Sequence, residues 1–322
     1  MARYVIRRLI WAIVVAVVIT FITFLIYFVM PPNDSPYESF THGMRTARAS
    51  ELTKDALGLD RPFYVQYGLF VKRLVIGDRY GWPGMWFSFQ TRGALRPIIA
   101  SKAVVTAQLA IGAAAVWLVL GIPIGILSAL RPRSRLDRVA MAFTLVGVST
   151  PVFFLGAAAL YAFWFKLHVA PGTGYVPISG GVGPWLRQLV LPCVVLALLF
   201  SAFYARMGRA TLIEAMGEDY VRTARAKGLT ERRVVLRHAF RASVVPLVTM
   251  FGMDLGQLFG GAIITETIFN LPGLGSYAIV SVRHADLYAL ADITLVVAFA
   301  VTILNLVVDV AYAFLDPRIR YR

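Results

Sequence analysis

The sequence predicts an all-α, polytopic membrane protein with six transmembrane helices. Three observations lead there. Hydrophobic residues make up 58% of the 322 positions and charged residues only 15%, where soluble domains carry about a quarter charged residues. The apolar residues gather into six runs of a length that crosses a hydrocarbon core, which takes about 17–25 helical residues. The lysines and arginines behind the formal net charge of +15 cluster at the ends of those runs. That is the distribution membrane orientation requires, and it argues against nucleic acid as a partner.

The first run, Leu9 to Met30, is free of charges and follows Arg3, Arg7 and Arg8. It is too long for a signal-peptide core and has no small-residue cleavage site, so no cleavable signal is expected. An extracytoplasmic segment, 31–102, comes next. Within it SELTKDALGLDRPFYVQYGLFVKRLVIGD has helical periodicity at Leu52, Ala56 and Leu59, then at Tyr64, Tyr67, Leu69 and Val71. The following GWPGMWFSFQ supplies Trp82, Trp86, Phe87 and Phe89. These aromatics fit either an interfacial belt or a small outer subdomain.

The remaining spans are 103–130, 139–165, 188–206, 244–266 and 287–314. Between the fifth and sixth, the loop 270–286 carries a Pro272-Gly273 turn and a short helix over Ser276 to Val282. It is too short to span. Orientation follows from Lys and Arg counts: three before the first run, four in 131–138, nine in 206–243 and three after the last run. The loops 166–187 and 270–286 hold two and one. Both termini are therefore expected in the cytoplasm. The ten basic residues of 31–102 do not oppose this, because loops longer than about 60 residues translocate largely regardless of charge.

No catalytic constellation is present. There is no Gly-Lys-Ser/Thr triplet and so no phosphate loop for ATP. The four histidines, His42, His168, His238 and His284, lack metal spacing. The glycines of PGTGYVPISGG have no strand–helix context and read as a turn. Cys193 is alone, which excludes a disulfide framework and fits a small buried side chain. The chain is expected to be non-enzymatic, with no metal and no cofactor of its own.

Polar residues inside the spans are costly and each asks for a reason. They are Gln108, Asp254, Gln257, Asn305 and Asp309, with Glu266 and Asp292 near outer ends. One reading is helix–helix hydrogen bonding. The other is that Asp254 and Gln257, three apart on one helix face, line a substrate path with Met250, Met253 and Phe259.

The basic segment from Arg206 to Pro246 is too polar to span. Gly217-Glu218-Asp219 breaks the preceding helix and offers Asp219 as an N-cap. Tyr220 to Lys227 reads as a short helix, and Gly228 supplies a left-handed stop. Thr230 can cap a second helix with Glu231 in its first turn. A helix of eight residues is marginal by itself in water and needs a surface. Ala224, Ala226 and Gly228 interleave with Arg222, Arg225 and Lys227, so small residues permit close approach while cations pair with acids. A solvated positive loop is the bland alternative.

YVRTARAKGL at 220–229, followed by RHAFRASVVP, resembles the cytoplasmic EAA-type loop of binding-protein-dependent ABC importer permeases, in the dipeptide/oligopeptide/nickel branch. RYVIRRL at 3–9, LGLDRPFYVQY at 57–67, TPVFFLG at 150–156, ETIFNLPGLG at 266–275 and LDPRIR at 315–320 resemble further landmarks of that family in the expected order. The resemblance implies a type I importer permease fold in a multi-pass bacterial inner membrane protein. It implies that Asp219, Tyr220, Arg222, Thr223, Ala224, Arg225, Ala226, Lys227, Gly228 and Leu229 contact a cytoplasmic ATPase. It also implies a second, homologous permease, two ATPase subunits or domains that hold ATP and Mg, and an extracytoplasmic substrate-binding protein. Peptides are the expected cargo, with nickel chelates, glutathione and oligosaccharides as alternatives; a secondary transporter is the alternative class. PPNDSP at 31–36 and RYGWPGMWFSFQTRG after Asp78 depart from the family pattern, both on the expected outer face.

Overall fold

The computed structural model describes residues 2–29, 61–77, 81–85, 87–88 and 93–315. Ten helices are labelled here: α1 (Ala2–Phe24), α2 (Phe63–Ile76), α3 (Leu95–Leu130), α4 (Arg135–Ser149), α5 (Val152–Ala159), α6 (Val182–Gly217), α7 (Asp219–Ala226), α8 (Phe240–Ile268), α9 (Leu274–Arg283) and α10 (Leu287–Leu315). A two-residue hairpin, β1 (Phe87–Ser88) against β2 (Gly93–Ala94), is a small exception to the all-α expectation. Among the described residues five helices are long and apolar enough to cross a membrane, and six if the bent pair Arg135–Ser149 and Val152–Lys166 counts as one span. The PPNDSP turn, Leu52, Ala56, Leu59, Trp86, Phe89 and the chain end after Leu315 lie outside the described residues.

Several boundaries differ from the sequence reading. The third run is not one straight helix: α4 and the stretch from Val152 to Lys166 meet at 107°. Thr150 is extended (ψ 124°) and Pro151 opens the next helix. The cause is local, since a proline disfavours the helical region for the residue before it and lacks the N–H that a continuing helix needs. The fourth helix runs from Val182 to Gly217, 36 residues, starting before 188 and continuing past 206 to the Gly217 break. The fifth begins earlier than 244, through a helical lead-in (Glu231–Arg233) and a π segment (Val234–Ala239) that runs into α8. At 1.5 Å per residue a 36-residue helix is about 54 Å long, well beyond a ~30 Å hydrocarbon core.

Contacts divide the chain into two units. One comprises Val5–Val105 and Gly273–Ile303. Its core is aromatic: Phe24 stacks on Phe28, Tyr67 meets Phe21 edge-on, and Phe70 packs against both Phe24 and Phe28. Leu95, Ile99, Leu274, Tyr277 and Tyr288 complete the cluster. The hairpin is pinned there by the Ser88 hydroxyl, which donates to Asp286. Asp286 in turn accepts from the Ala289 N–H at 3.2 Å and so caps α10.

The other unit comprises Thr106–Pro272 with both chain ends. Here α6 is the spine, and α4, α5 and α8 all pack on it. Membrane helices gain little by hiding apolar surface from apolar lipid, so small residues and directional hydrogen bonds decide where they touch. Gly121 and Gly125, spaced as in GxxxG, set α3 against α6. A Cβ on Gly121 would lie 2.8 Å from both Ser201 O and Tyr204 Cβ, and one on Gly125 would lie 2.7 Å from Ala205 O. The predicted intramembrane polar residues Gln108 and Glu266 are answered within the chain. Tyr175 Oη and Trp185 Nε1 donate to Gln108 at 2.8 and 3.1 Å. Thr106 Oγ1 donates to the fully buried Glu266 at 2.6 Å. Cys193 is buried and reduced, with its sulfur against Gly112, as a small core side chain should be.

The α3–α6 approach makes a prediction. Replacing Gly121 with valine should force the helices apart and cost about 1–3 kcal/mol of stability. A lowered thermal midpoint of the detergent-solubilised protein is the expected result; an unchanged midpoint would contradict the close packing.

Candidate functional site

The polar segment after Gly217 forms a seat and a small helix placed on it. Gly217 ends α6, and Glu218 turns extended (ψ 149°). The N-cap position of α7 is therefore Glu218, without a side-chain cap bond, and Asp219 is the first helical residue rather than the expected cap. Asp219 still accepts from Arg222 at 3.5 Å, and its carbonyl accepts from Thr223 Oγ1 at 2.9 Å. Gly228 lies at φ +74° and stops the helix where the sequence reading placed the stop. Thr230 holds the next N-cap position by backbone conformation, again without a side-chain bond.

One face of α7 is apolar and faces its own chain. Val221 (0% exposed) and Ala224 (5%) pack against Ala129 of α3, Leu212 and Ala215 of α6, and Val234 and Ala239 of the π segment. Leu229, Ile126 and Met216 border this cluster. The seat explains how eight residues hold a helix: tertiary burial replaces the missing intrinsic stability. Of the ten residues predicted for a partner contact, Ala224 is thus turned inward and Leu229 is half-buried. Arg225 is engaged across the Gly228 turn, donating from Nε and Nη2 to Glu231 at 3.1 and 2.7 Å. That carboxylate raises the Arg225 pKa above its ordinary value. Tyr220, Arg222, Thr223, Ala226, Lys227 and Gly228 remain exposed, with Tyr220 at 44%. The exposed set combines an aromatic ring, two cations and small side chains, which suits a complementary protein surface.

Beneath the seat, one carboxylate ties three elements together. Arg209 of α6 donates from Nε and Nη2 to Asp137 Oδ1 and Oδ2 at 2.7 and 2.9 Å. The Ser128 hydroxyl of α3 also donates to Oδ1, and the Arg133 N–H donates to Oδ2 at 2.8 Å. Ser134 caps α4 by accepting from the Asp137 N–H at 3.1 Å. The sequence reading treated 131–138 only as a run of positive charge and missed Asp137. The signal available was its place three residues after Ser134, where an acidic residue belongs in a first helical turn.

The second candidate set lies on α8. Met253 is 67% exposed, while Asp254 is half-buried with its Oδ2 atom inside the helix packing. Met250 is half-buried, and the side chains of Gln257 and Phe259 lie outside the described residues. Asp254 and the Tyr204 hydroxyl lie within electrostatic reach of each other without attaining hydrogen-bond geometry. Trp117 stacks on Phe200 at 4.7 Å and touches Tyr204 and Phe251. The Trp117 N–H and the Ser201 hydroxyl are likewise buried without a hydrogen-bond partner. Of these unpartnered groups, the Tyr204 hydroxyl is the one that interacts with Asp254. The sequence reading named Asp254 but not Trp117, Ser201 or Tyr204, whose polar atoms sit on otherwise apolar or small side chains. Among the described residues no three His, Cys, Asp or Glu side chains converge as a metal site would require.

Comparison with known proteins follows the same lines. Residues 121–321 match the family "Binding-protein-dependent transport system inner membrane component", and residues 1–110 match its N-terminal partner family. The chain is 33% identical over 341 residues to the dipeptide transport system permease protein DppB of Alkalihalophilus pseudofirmus, covering 100% of both chains. It is 33% identical to the probable D,D-dipeptide permease DdpB of Escherichia coli, over 98% of this chain and 97% of that protein. It is 34% identical to the glutathione permease GsiC of Escherichia coli, over 100% of both. Among solved structures, an inward-facing form of the MetNI methionine ABC transporter shares the fold: TM-score 0.55, 18% identity, 69% of this chain and 98% of that one. The chain belongs to the binding-protein-dependent transport system inner membrane components, the multi-pass permeases of ABC transporters.

Proposed function

We propose that this chain forms part of the translocation path for short peptides in an ATP-driven importer, and that α7 is its contact with a separate ATPase. The observation that carries the reading is α7 itself: a helix held at 219–226 by its apolar face, with Tyr220, Arg222, Thr223, Ala226 and Lys227 left outward. A helix seated in this way transmits a push into α3, α6 and α8, which form its seat and its continuation. Substrate chemistry is supported by relatives named for dipeptides over the full length of the chain. The relative named for glutathione is as similar; glutathione is itself a tripeptide, so short peptides cover both.

The remaining parts complete the reading. Both termini and α7 face the cytoplasm. A second permease pairs with this chain, two ATPase subunits or domains bind ATP and Mg, and an extracytoplasmic binding protein delivers substrate. This chain performs no hydrolysis. Its two orientations of the path are two states, and ATP shifts their populations only by binding one of them more tightly. Met250, Met253, Asp254, Gln257 and Phe259 of α8 contribute to the path, with Asp254 as its charged group.

Two measurements test this. Gly228→Val should strain the left-handed turn by about 1–2 kcal/mol, although nothing lies within 4 Å of a Cβ there. Peptide uptake should fall while the amount of protein in the membrane is unchanged; normal uptake would sink the coupling role. Asp254→Asn should lower uptake of cationic peptides by about tenfold relative to neutral ones, the factor for a charge contact of ~1.4 kcal/mol. Equal effects on both would place Asp254 in helix packing instead.

A further inference from the structure

We propose that Asp137 is a positioning residue that makes α3, α4 and α6 move as one body with the seat of α7. The inference rests on the reading of α7 as the ATPase contact and names what carries motion onward from it.

The geometry supports it at three levels. First, the carboxylate is saturated: each oxygen accepts two hydrogen bonds, Oδ1 from Ser128 and Arg209 Nε, Oδ2 from the Arg133 N–H and Arg209 Nη2. A bidentate guanidinium fixes direction as well as distance, unlike an ammonium. Second, the clamp adjoins the seat along the chain. Ser128 precedes Ala129, which touches the α7 cluster, and Arg209 lies one helical turn before Leu212 of the same cluster. Third, α6 meets α3 and α4 nearby through small residues. Gly125 faces Ala205, and Gly147 faces Ala202. Small-residue contacts let helices approach but form no directional bond between side chains. The clamp supplies the directional restraint. Asp137 is 5% exposed, while Arg131, Arg133, Arg135 and Arg138 around it are exposed. The clamp arginine therefore comes from another helix although four lie closer in sequence, as expected of a tie between elements.

The test uses the assembled transporter in proteoliposomes, with its binding protein as purified. The readout is the ratio of ATP hydrolysis with binding protein to hydrolysis without it. In Asp137→Asn this ratio should fall about fivefold or more, the scale of a typical coupling free energy, while the ATPase subunits still co-purify. Ser128→Ala removes one of the four bonds and should lower the ratio less; it serves as the readout if Asp137→Asn does not assemble. Arg209→Lys, which keeps the charge and loses the fork, should resemble Asp137→Asn. A wild-type ratio in Ser128→Ala and in the assembled carboxylate or arginine variant would overturn the proposal. So would proportional loss of both rates, which is what simple destabilisation produces. Gly228→Val, run alongside, separates the two readings: normal stimulation there removes the α7 reading itself, whereas impaired stimulation there with a wild-type ratio in the clamp variants removes only the clamp.

Discussion

Inside hydrocarbon no water is available to a peptide group, so each N–H and C=O must find its partner in the chain. Most of this structure follows from that constraint. The apolar runs become helices, several longer than the hydrocarbon is thick. Among the places where the described backbone leaves helical geometry, several have a local cause in the sequence: Pro151, the Gly217–Glu218 pair, Gly228 and the Pro272-Gly273 turn. Polar side chains inside the packing are held to the same rule. Gln108 and Glu266 receive donors from neighbouring segments. Asp254 Oδ2, the Tyr204 and Ser201 hydroxyls and the Trp117 N–H are among the buried groups that do not.

With burial from water removed as a driving force between helices, contact depends on shape and direction. Gly121 and Gly125 bring α3 within backbone reach of α6. Thr106–Glu266 and Asp137–Arg209 add direction. Where the chain leaves the apolar runs the balance reverses. The α7 seat is a small apolar core of alanines, valines and leucines, and it holds the helix by burial, as a soluble protein would. The coupling role proposed for α7 asks one helix to satisfy both an apolar seat and an aqueous surface. The sidedness of α7 does so, with Val221 and Ala224 inward and Tyr220, Arg222 and Lys227 outward.

Much of this was legible in the residues. Run length marked the apolar helices, five or six of them as spans. The helix at 219–226 could be read because Gly217 and Gly228 are strong local signals that act over a few residues. The break at Thr150-Pro151 was present as TPVFFLG, yet it was read as part of one run. Hydropathy averages over a window and is blind to a proline inside an apolar stretch. Asp137 was hidden for a similar reason, since a lone acid among four arginines looks like solvated charge until its partner from α6 is seen. Tyr204, Ser201 and Trp117 carry polar atoms whose importance depends on which atoms of other helices face them.

The sequence by itself determined the class of the molecule: a helical, multi-pass membrane chain with a basic, punctuated segment built around a short helix. These features are local, set by transfer to hydrocarbon and by backbone preferences a few residues wide. Only the tertiary structure decided which side of that helix is free. Ala224 belongs to the seat and Arg225 to Glu231, and the tie beneath them joins Asp137 to Arg209, 72 positions away. Such pairings depend on the helix against which a residue comes to lie, and the local pattern of residues does not encode that distance.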